Sequence, residues 1–353
     1  MKRATTIRDV AARAGVSVGT VSAVINRSPS VAESTRQRVL NRIQELSYKP
    51  NSKARSLRQH GVSAVGLIVP DLKNPFFSSV AEGVQITAEE NDVLLVLCMT
   101  GARAEREQYY AQTLMTARLD GVIYLSGSGI PSPHLLHLAK SRQILFVDES
   151  LPGVDIPFIT SENRSGARAV AKHVLSMGHR EVAIIGGPAR LWTSEQRLAG
   201  YREALVGAGL NPDDTPMLAG EYDEASGYRI AQELLRRSKP AVTALLCAND
   251  LMAIGAMKLC RDIGLRVPLD ISITGFDNIP ASSLLDPALT TVAQPGQDMG
   301  RAAAQLLLHQ IKGISPPLLT IFPTELCVRG SVVAPNTNSK RSPMAGEDLR
   351  LPQ

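Results

Sequence analysis

From residue 62 onward, short apolar runs alternate with amphipathic windows, and that alternation leaves few architectures open. The runs fall at 64–69, 93–99, 121–125, 144–147, 182–185, 243–247 and 271–274. Between them lie windows of helical period, at 77–90, 103–118, 165–177, 195–207, 225–236, 251–263 and 299–312. Parallel strands need crossover connections, and a crossover helix covers the face it crosses; continuous apolar strands between helices therefore predict covered parallel sheets. The strands are too many for one doubly wound sheet. A break near 156–162 and return strands after Thr290 predict two α/β lobes with chain crossing between them. Lobe one is expected over 61–160 and 291–322, lobe two over 161–290 and 323–335. Ligands of open α/β sheets sit beyond the carboxyl ends of strands, which places a site in the cleft between two facing lobes.

The first sixty residues are built differently. They hold 12 Lys and Arg against 3 Asp and Glu, whereas the whole chain carries only +5. One end thus suits a polyanion and the remainder, net negative, does not. Thr6-Ile7-Arg8-Asp9 starts a helix as a capping box does, with Asp9 at the positive helix end. Gly15 supplies the left-handed residue that ends this helix, and Ser17 caps a second. Val21, Val24 and Ile25 pack inward with Val10 and Val16, leaving Val18, Gly19, Thr20, Ser22, Ala23 and Asn26 facing out. Side chains that short allow close approach to a duplex groove. A third helix over 33–46 places Val39, Ile43 and Leu46 on one face. Residues 1–48 are therefore expected to be an all-α helix–turn–helix head, 49–60 a hinge or linker, and 336–353 a disordered tail. A helix–turn–helix can also be part of a bundle; the surplus charge and the linker favour DNA.

Composition excludes several classes. The 353 residues are 44% hydrophobic and 4% aromatic, enough chain for more than one domain with a mostly aliphatic core. Cys98, Cys247, Cys260 and Cys327 lack metal or redox spacing; they read as small buried hydrophobes in a reducing cytoplasm or, being even in number, as two disulfides. No signal peptide and no membrane span is expected. Nothing matches GxxxxGK[ST], HExxH, GxSxG or CxxC, and Gly127-Ser128-Gly129 reads as a loop. The six histidines (His60, His134, His137, His173, His179, His309) show no metal spacing. Neither catalysis nor a cofactor is expected.

Thr6-Ile7-Arg8-Asp9-Val10-Ala11, Ala14-Gly15-Val16-Ser17, Thr20-Val21-Ser22, Asn26, Leu46-Ser47-Tyr48-Lys49-Pro50-Asn51 and Ala54-Arg55-Ser56-Leu57 form an ordered set of motifs. With Val69-Pro70-Asp71 and Arg329-Gly330-Ser331 they resemble the LacI family of bacterial transcriptional repressors from head to body. The resemblance implies that Val18, Gly19 and Ala23 meet base edges while Thr6, Thr20, Ser22 and Asn26 hold the DNA backbone, with Ser17 a further DNA-binding position. It also implies a hinge helix in the minor groove, paired with that of a second subunit, to which Asn51, Lys53, Ala54, Leu57 and Arg58 contribute. Leu57 would wedge between base steps; a flexible tether with an incidental leucine is the alternative. Three positions depart from the family pattern. Ala23 replaces the usual Arg, Gly19 offers no side chain, and Ala32 replaces a Ser helix cap.

The body of the family resembles type I periplasmic binding proteins, which implies an effector site for a sugar or similar polyhydroxylated molecule. Asn74, Phe76 and Phe77 follow the first strand, one of the two rings being core. Asp148 ends the strand at 144–147. Thr193 and Arg197 follow Gly186-Gly187-Pro188, and the planar Arg197 guanidinium suits two ligand oxygens. Tyr222 offers a stacking face, Asn249 and Asp250 end one strand, Asp277 ends another, and Gln294 lies in the crossover. Asp250 serves equally as a helix cap, and Trp192 as a lid or a surface aromatic. The partners implied are double-stranded operator DNA, a small effector and a second copy of the chain, with a tetramer left open. A solute-binding protein with the same body and no regulatory role is the alternative.

Overall fold

Small aliphatic side chains hold the amino-terminal unit together. The structure, a computed structural model, describes residues 6–25, 28, 31–46, 64–117, 119–131, 133–140, 144–151, 155–237 and 241–336. It divides into two units, Met1–Gly61 and Val62–Gln353. In the first, helix α1 (Ile7–Ala14) begins at the expected capping box: Thr6 donates its N–H and its hydroxyl to Asp9 Oδ2 at 2.8 and 2.7 Å. Gly15, at φ 63°, ends it by donating to the Ala11 and Ala12 carbonyls. Helix α2 (Val18–Ile25) starts with Ser17 Oγ accepting the Thr20 N–H at 3.0 Å. Helix α3 (Glu33–Glu45) has no side-chain cap, as Ala32 dictates. Val10, Val21 and Val39 are fully buried at the meeting of the three helices. Val18, expected to face outward, is half-buried against this cluster. Helical side chains lean toward the helix amino terminus, and at the first position of α2 that lean carries Val18 back over the turn.

The second unit contains the two sheets. The first has six parallel strands in the order β11-β5-β4-β3-β1-β2. They are β1 (Ala64–Val69), β2 (Leu94–Met99), β3 (Gly121–Tyr124), β4 (Ile144–Val147), β5 (Phe158–Ser161) and β11 (Leu319–Phe322). Register is set by the central pairs Leu67↔Leu97 and Leu67↔Ile123. The second sheet is parallel in the order β7-β6-β8-β9: β6 (Val182–Gly186), β7 (Met217–Ala219), β8 (Ala244–Cys247) and β9 (Ser272–Thr274). An antiparallel pair, β10 (Thr291–Ala293) with β12 (Glu325–Cys327), carries the chain across. The segment read as a break at 156–162 is in fact β5, which pairs with β4 and β11. Sequence pattern also missed β7, three residues long with Met217 and Ala219 exposed; an edge strand this short has almost no period to detect.

Helices cover both faces of each sheet. In the first lobe α4 (Pro75–Glu90) and α11 (Gly296–Ile311) bury Val80, Val84, Met299 and Ala303 on one side. Helices α5 (Ala104–Thr116) and α6 (Pro133–Lys140) bury Ala111, Leu114 and Leu135 on the other. In the second lobe α7 (Asn163–Ser176) pairs with α8 (Trp192–Gly207), and α9 (Glu224–Arg237) with α10 (Asp250–Asp262). Three of these pairs meet backbone to backbone at glycine. A Cβ on Gly83, Gly200 or Gly227 would lie 2.0, 2.2 or 2.2 Å from the carbonyl oxygen of Gln297, Arg164 or Met252. The four cysteines are free thiols, three of them buried, as their surroundings suggested. No helix of the described residues is long and apolar enough to cross a membrane.

Candidate functional site

A cavity of about 530 Å³ opens between the two lobes at the carboxyl ends of their strands. Lobe one contributes Asn74, Phe77, Ser126, Gly127, Asp148 and Glu149 to its wall; lobe two contributes Arg190, Leu191, Tyr222, Asp223 and Leu251. Each polar residue is placed by a local device. Asn74 caps α4, its Oδ1 accepting the Phe76 N–H at 3.0 Å. Asn249 caps α10 the same way and donates Nδ2 to the Tyr222 carbonyl at 3.1 Å. Among the described residues only six non-glycines have positive φ, and Ala102, Asp148 (69°) and Tyr222 (61°) lie on this wall, with Asp277 (109°) close by. Left-handed backbone at a residue with a Cβ costs on the order of 1–3 kcal/mol, so the surrounding fold enforces these positions.

A buried polar network joins the two lobes. Arg197 donates Nε to Asn163 Oδ1 at 2.8 Å and Nη1 to the Ala248 carbonyl at 2.7 Å. The same Nη1 meets Asp277 Oδ1 at 3.3 Å, and the guanidinium lies 4.0 Å from the Phe276 ring centroid and 5.5 Å from that of Tyr222. Gln294 donates to Asp277 at 2.7 Å and accepts from Ser161 at 2.5 Å, while Asn74 also hydrogen-bonds Asp277. Desolvation raises the Asp277 carboxyl to about 6, against the opposing pull of Arg197. Asp148 and Glu149 are likewise raised by burial, Arg197 again opposing it at both, while Asp277 adds to the rise at Asp148 and Asp148 to that at Glu149. The Tyr222 hydroxyl is pushed up to about 12, mainly by burial.

The residues expected from the sequence divide into groups. Asn74, Phe77, Asp148 and Tyr222 line the cavity; Arg197, Asp277 and Gln294 belong to the network, with Asn249 as a helix cap. Phe76 is core, packed with Val80. Asp250 is fully buried, and both its oxygens are used within the fold: Thr291 Oγ1 donates to one at 2.5 Å, the Ile279 N–H to the other at 2.8 Å. Trp192 packs edge-on against Phe158 of lobe one at 5.4 Å between centroids, so it bridges the lobes. In the head, Thr6, Ser17 and Gly19 are exposed and Thr20, Ser22 and Ala23 half-buried. Asn26, Asn51, Lys53, Ala54, Leu57 and Arg58 lie outside the described residues.

Two carboxylates were missed. Glu149, adjacent to Asp148, accepts the Thr193 N–H at 3.2 Å together with the Thr193 hydroxyl, tying lobe one to the first turn of α8. The acidic pair after an apolar strand was the available signal. Glu107 is buried and collects the Gly127 and Ser128 amides at 2.8 and 3.0 Å, the Tyr124 hydroxyl at 2.6 Å and the Ser128 hydroxyl. It thereby shapes the 126–129 loop on the cavity wall; on an amphipathic helix it looks like any surface glutamate. Glu107→Gln should lower stability by about 1–2 kcal/mol: the Gly127 and Ser128 amides keep Oε1 as acceptor, but the hydroxyls that donate to Oε2 must turn to accept from the new amide, and hydrogen bonds to a carboxylate become weaker neutral ones. Urea unfolding measures this, and an unchanged midpoint would contradict the assigned role.

A two-lobed α/β body with a polar cleft, on a chain that begins with a helix–turn–helix, defines a ligand-responsive DNA-binding regulator. The description "Bacterial regulatory proteins, lacI family" matches residues 6–51, and "Periplasmic binding protein-like domain" matches 171–332. The ribose operon repressor of Halalkalibacterium halodurans is 36% identical over 330 residues, 92% of this chain and 96% of that protein. The transcriptional repressor CytR of Escherichia coli strain K12 is 32% identical, covering 94% and 97%. Among solved structures, the lac repressor dimer bound to operator and the anti-inducer ONPF superposes with a TM-score of 0.81 at 28% identity, over 94% and 100%. The transcriptional regulator CelR with cellobiose gives 0.69 at 32%, over 93% and 99%.

The chain belongs to the LacI family. It is a DNA-binding transcriptional regulator, not an enzyme, and a solute-binding protein without a regulatory role is not favoured.

Proposed function

We propose that the protein is a cytoplasmic, homodimeric repressor whose hold on operator DNA is set by a sugar or sugar derivative in the interlobe cleft. The observation that carries this reading is the cavity of about 530 Å³ walled by both lobes above the buried Arg197–Asp277–Gln294 network. A ligand that touches both walls binds one lobe arrangement better than another, and that difference in affinity is the regulatory free energy. Residues 1–48 form the head, 49–60 the hinge and 61–335 the effector and dimerisation body, followed by a tail. Two heads span a two-fold operator. In the head, Thr6, Ser17, Thr20, Ser22 and Asn26 hold the DNA backbone and Val18, Gly19 and Ala23 approach the bases; Asn51, Lys53, Ala54, Leu57 and Arg58 act in the hinge. Asn74, Phe77, Asp148 and Tyr222 touch the effector, while Thr193, Arg197, Asn249, Asp277 and Gln294 position them. The relative named for ribose, and the solved complexes with cellobiose and ribose, support a carbohydrate class.

Fluorescence anisotropy on the DNA upstream of the protein's own gene tests the reading. Specific affinity should exceed non-specific affinity by about a thousandfold or more. Leu57→Ala should reduce the specific term more than the non-specific one, and Tyr222→Ala should abolish the response to effector. Equal losses on both DNAs would remove the hinge wedge from the account. Indifference to that DNA at every salt concentration would end the repressor reading.

A further inference from the structure

Lobe one grips lobe two at one short stretch of chain. Arg190, Leu191, Trp192 and Thr193 form a strap that leads from β6 into α8, and three neighbouring strands of lobe one reach it. After β3, Gly129 comes so near that a Cβ added there would stand 2.4 Å from the Arg190 carbonyl oxygen. In the same loop the Gly127 carbonyl accepts Arg190 Nη2 at 3.4 Å. After β4, Glu149 accepts the Thr193 N–H at 3.2 Å and the Thr193 hydroxyl. Within β5, Phe158 meets Trp192 edge-on.

The two ends of this contact are fixed before they meet. Buried Glu107 holds the 126–129 loop through two amides and two hydroxyls. On the other side, Thr193 lies in the first turn of α8, where a backbone N–H has no acceptor within its own helix. Glu149 supplies that acceptor from the opposite lobe, and both residues are buried, at 3% and 1% exposure. Parting the lobes would exchange a dry, paired contact for two groups that water must solvate, and would uncover Leu191 and Trp192 as well.

We propose that Glu149 is a positioning residue whose grip on Thr193 holds the strap against lobe one, so that the cleft is closed by the chain's own contacts and a ligand enters a preformed site. The inference goes beyond the effector reading, because it concerns the lobes whatever ligand they take. Where that reading holds, the ligand is spared the free energy of closure, and its apparent affinity falls with the fraction of molecules whose strap is released.

Hydrogen exchange on the full chain, with no ligand added, tests the tether. Glu149→Ala should speed exchange of the Thr193 amide by about tenfold or more, the scale of one charge-assisted hydrogen bond. Trp192, the only tryptophan, should become more open to quenching by acrylamide. Glu149→Gln should restore slow exchange, its amide oxygen accepting the N–H and its NH2 donating to the hydroxyl. Gly129→Ala leaves Glu149 in place and pushes on the Arg190 carbonyl instead; it should loosen the strap in the same way. Unchanged exchange and quenching in either alanine variant, or failure of the Gln variant to restore protection, overturns the proposal. So does an acceleration spread over the whole body rather than centred on 190–193, which would make Glu149 a residue of the fold alone. None of these outcomes bears on the effector reading, which falls if sugars move neither the melting temperature nor the operator affinity.

Discussion

Replacing Arg197 with methionine should lower the stability of the body by about 3–5 kcal/mol at pH 8, the usual cost of removing one partner of a buried ion pair. The residue is 3% exposed and its loss strands Asp277, the Asn163 amide oxygen and the Ala248 carbonyl, all in the interior. The loss should depend on pH in a defined direction. The folded-state value of Asp277 is already raised from 3.8 to about 6 by burial, so its stabilising contribution is complete in acid and is lost as pH climbs from the first value through the second. Without the guanidinium that value rises further. The gap between variant and parent should therefore be smaller near pH 5.5 and widen toward pH 8. Urea unfolding can follow this through Trp192, the chain's only tryptophan, which contacts Phe158 across the lobes. A deficit below about 1 kcal/mol, or one flat with pH, would show that the pair contributes little.

Gly83→Ala is expected to be the second most damaging exchange, at about 1–3 kcal/mol or more. The added Cβ would stand 2.0 Å from the Gln297 carbonyl oxygen and 2.9 Å from the Arg301 nitrogen, both backbone atoms that cannot rotate away. Helices α4 and α11 would have to separate, opening the seam of Val80, Val84, Met299 and Ala303 that covers the first sheet. Gly207→Ala is the matched control. It is also helical, nothing lies within 4 Å of its Cβ position, and the exchange should stabilise by up to about 1 kcal/mol. Equal melting temperatures for the two variants would show that the helix crossing tolerates an extra methyl group.

Elements with strong local signals were legible from the residues alone. Thr6, Asp9, Gly15 and Ser17 mark helix ends in the head because each cap is a hydrogen bond between residues at most four apart. The apolar runs that became β1 to β4 were equally plain, since period and burial there are properties of a few consecutive residues. Polar residues just past the apolar runs of both lobes, among them Asp148 after β4, Asn249 after β8 and Asp277 after β9, marked the cleft because strand ends converge on it.

The choice between partners was made by contacts between distant segments. Asp250 belongs to the fold because Thr291, forty-one residues later, donates to it. Phe77 rather than Phe76 reaches the cavity, Glu107 builds a loop twenty residues away, and Glu149 holds Thr193 across the lobes. Edge strand β7 and the boundary strand β5 gained their identity from neighbours and not from their own period. Periodicity states which face of an element is hidden; what lies opposite that face depends on how distant segments are brought together.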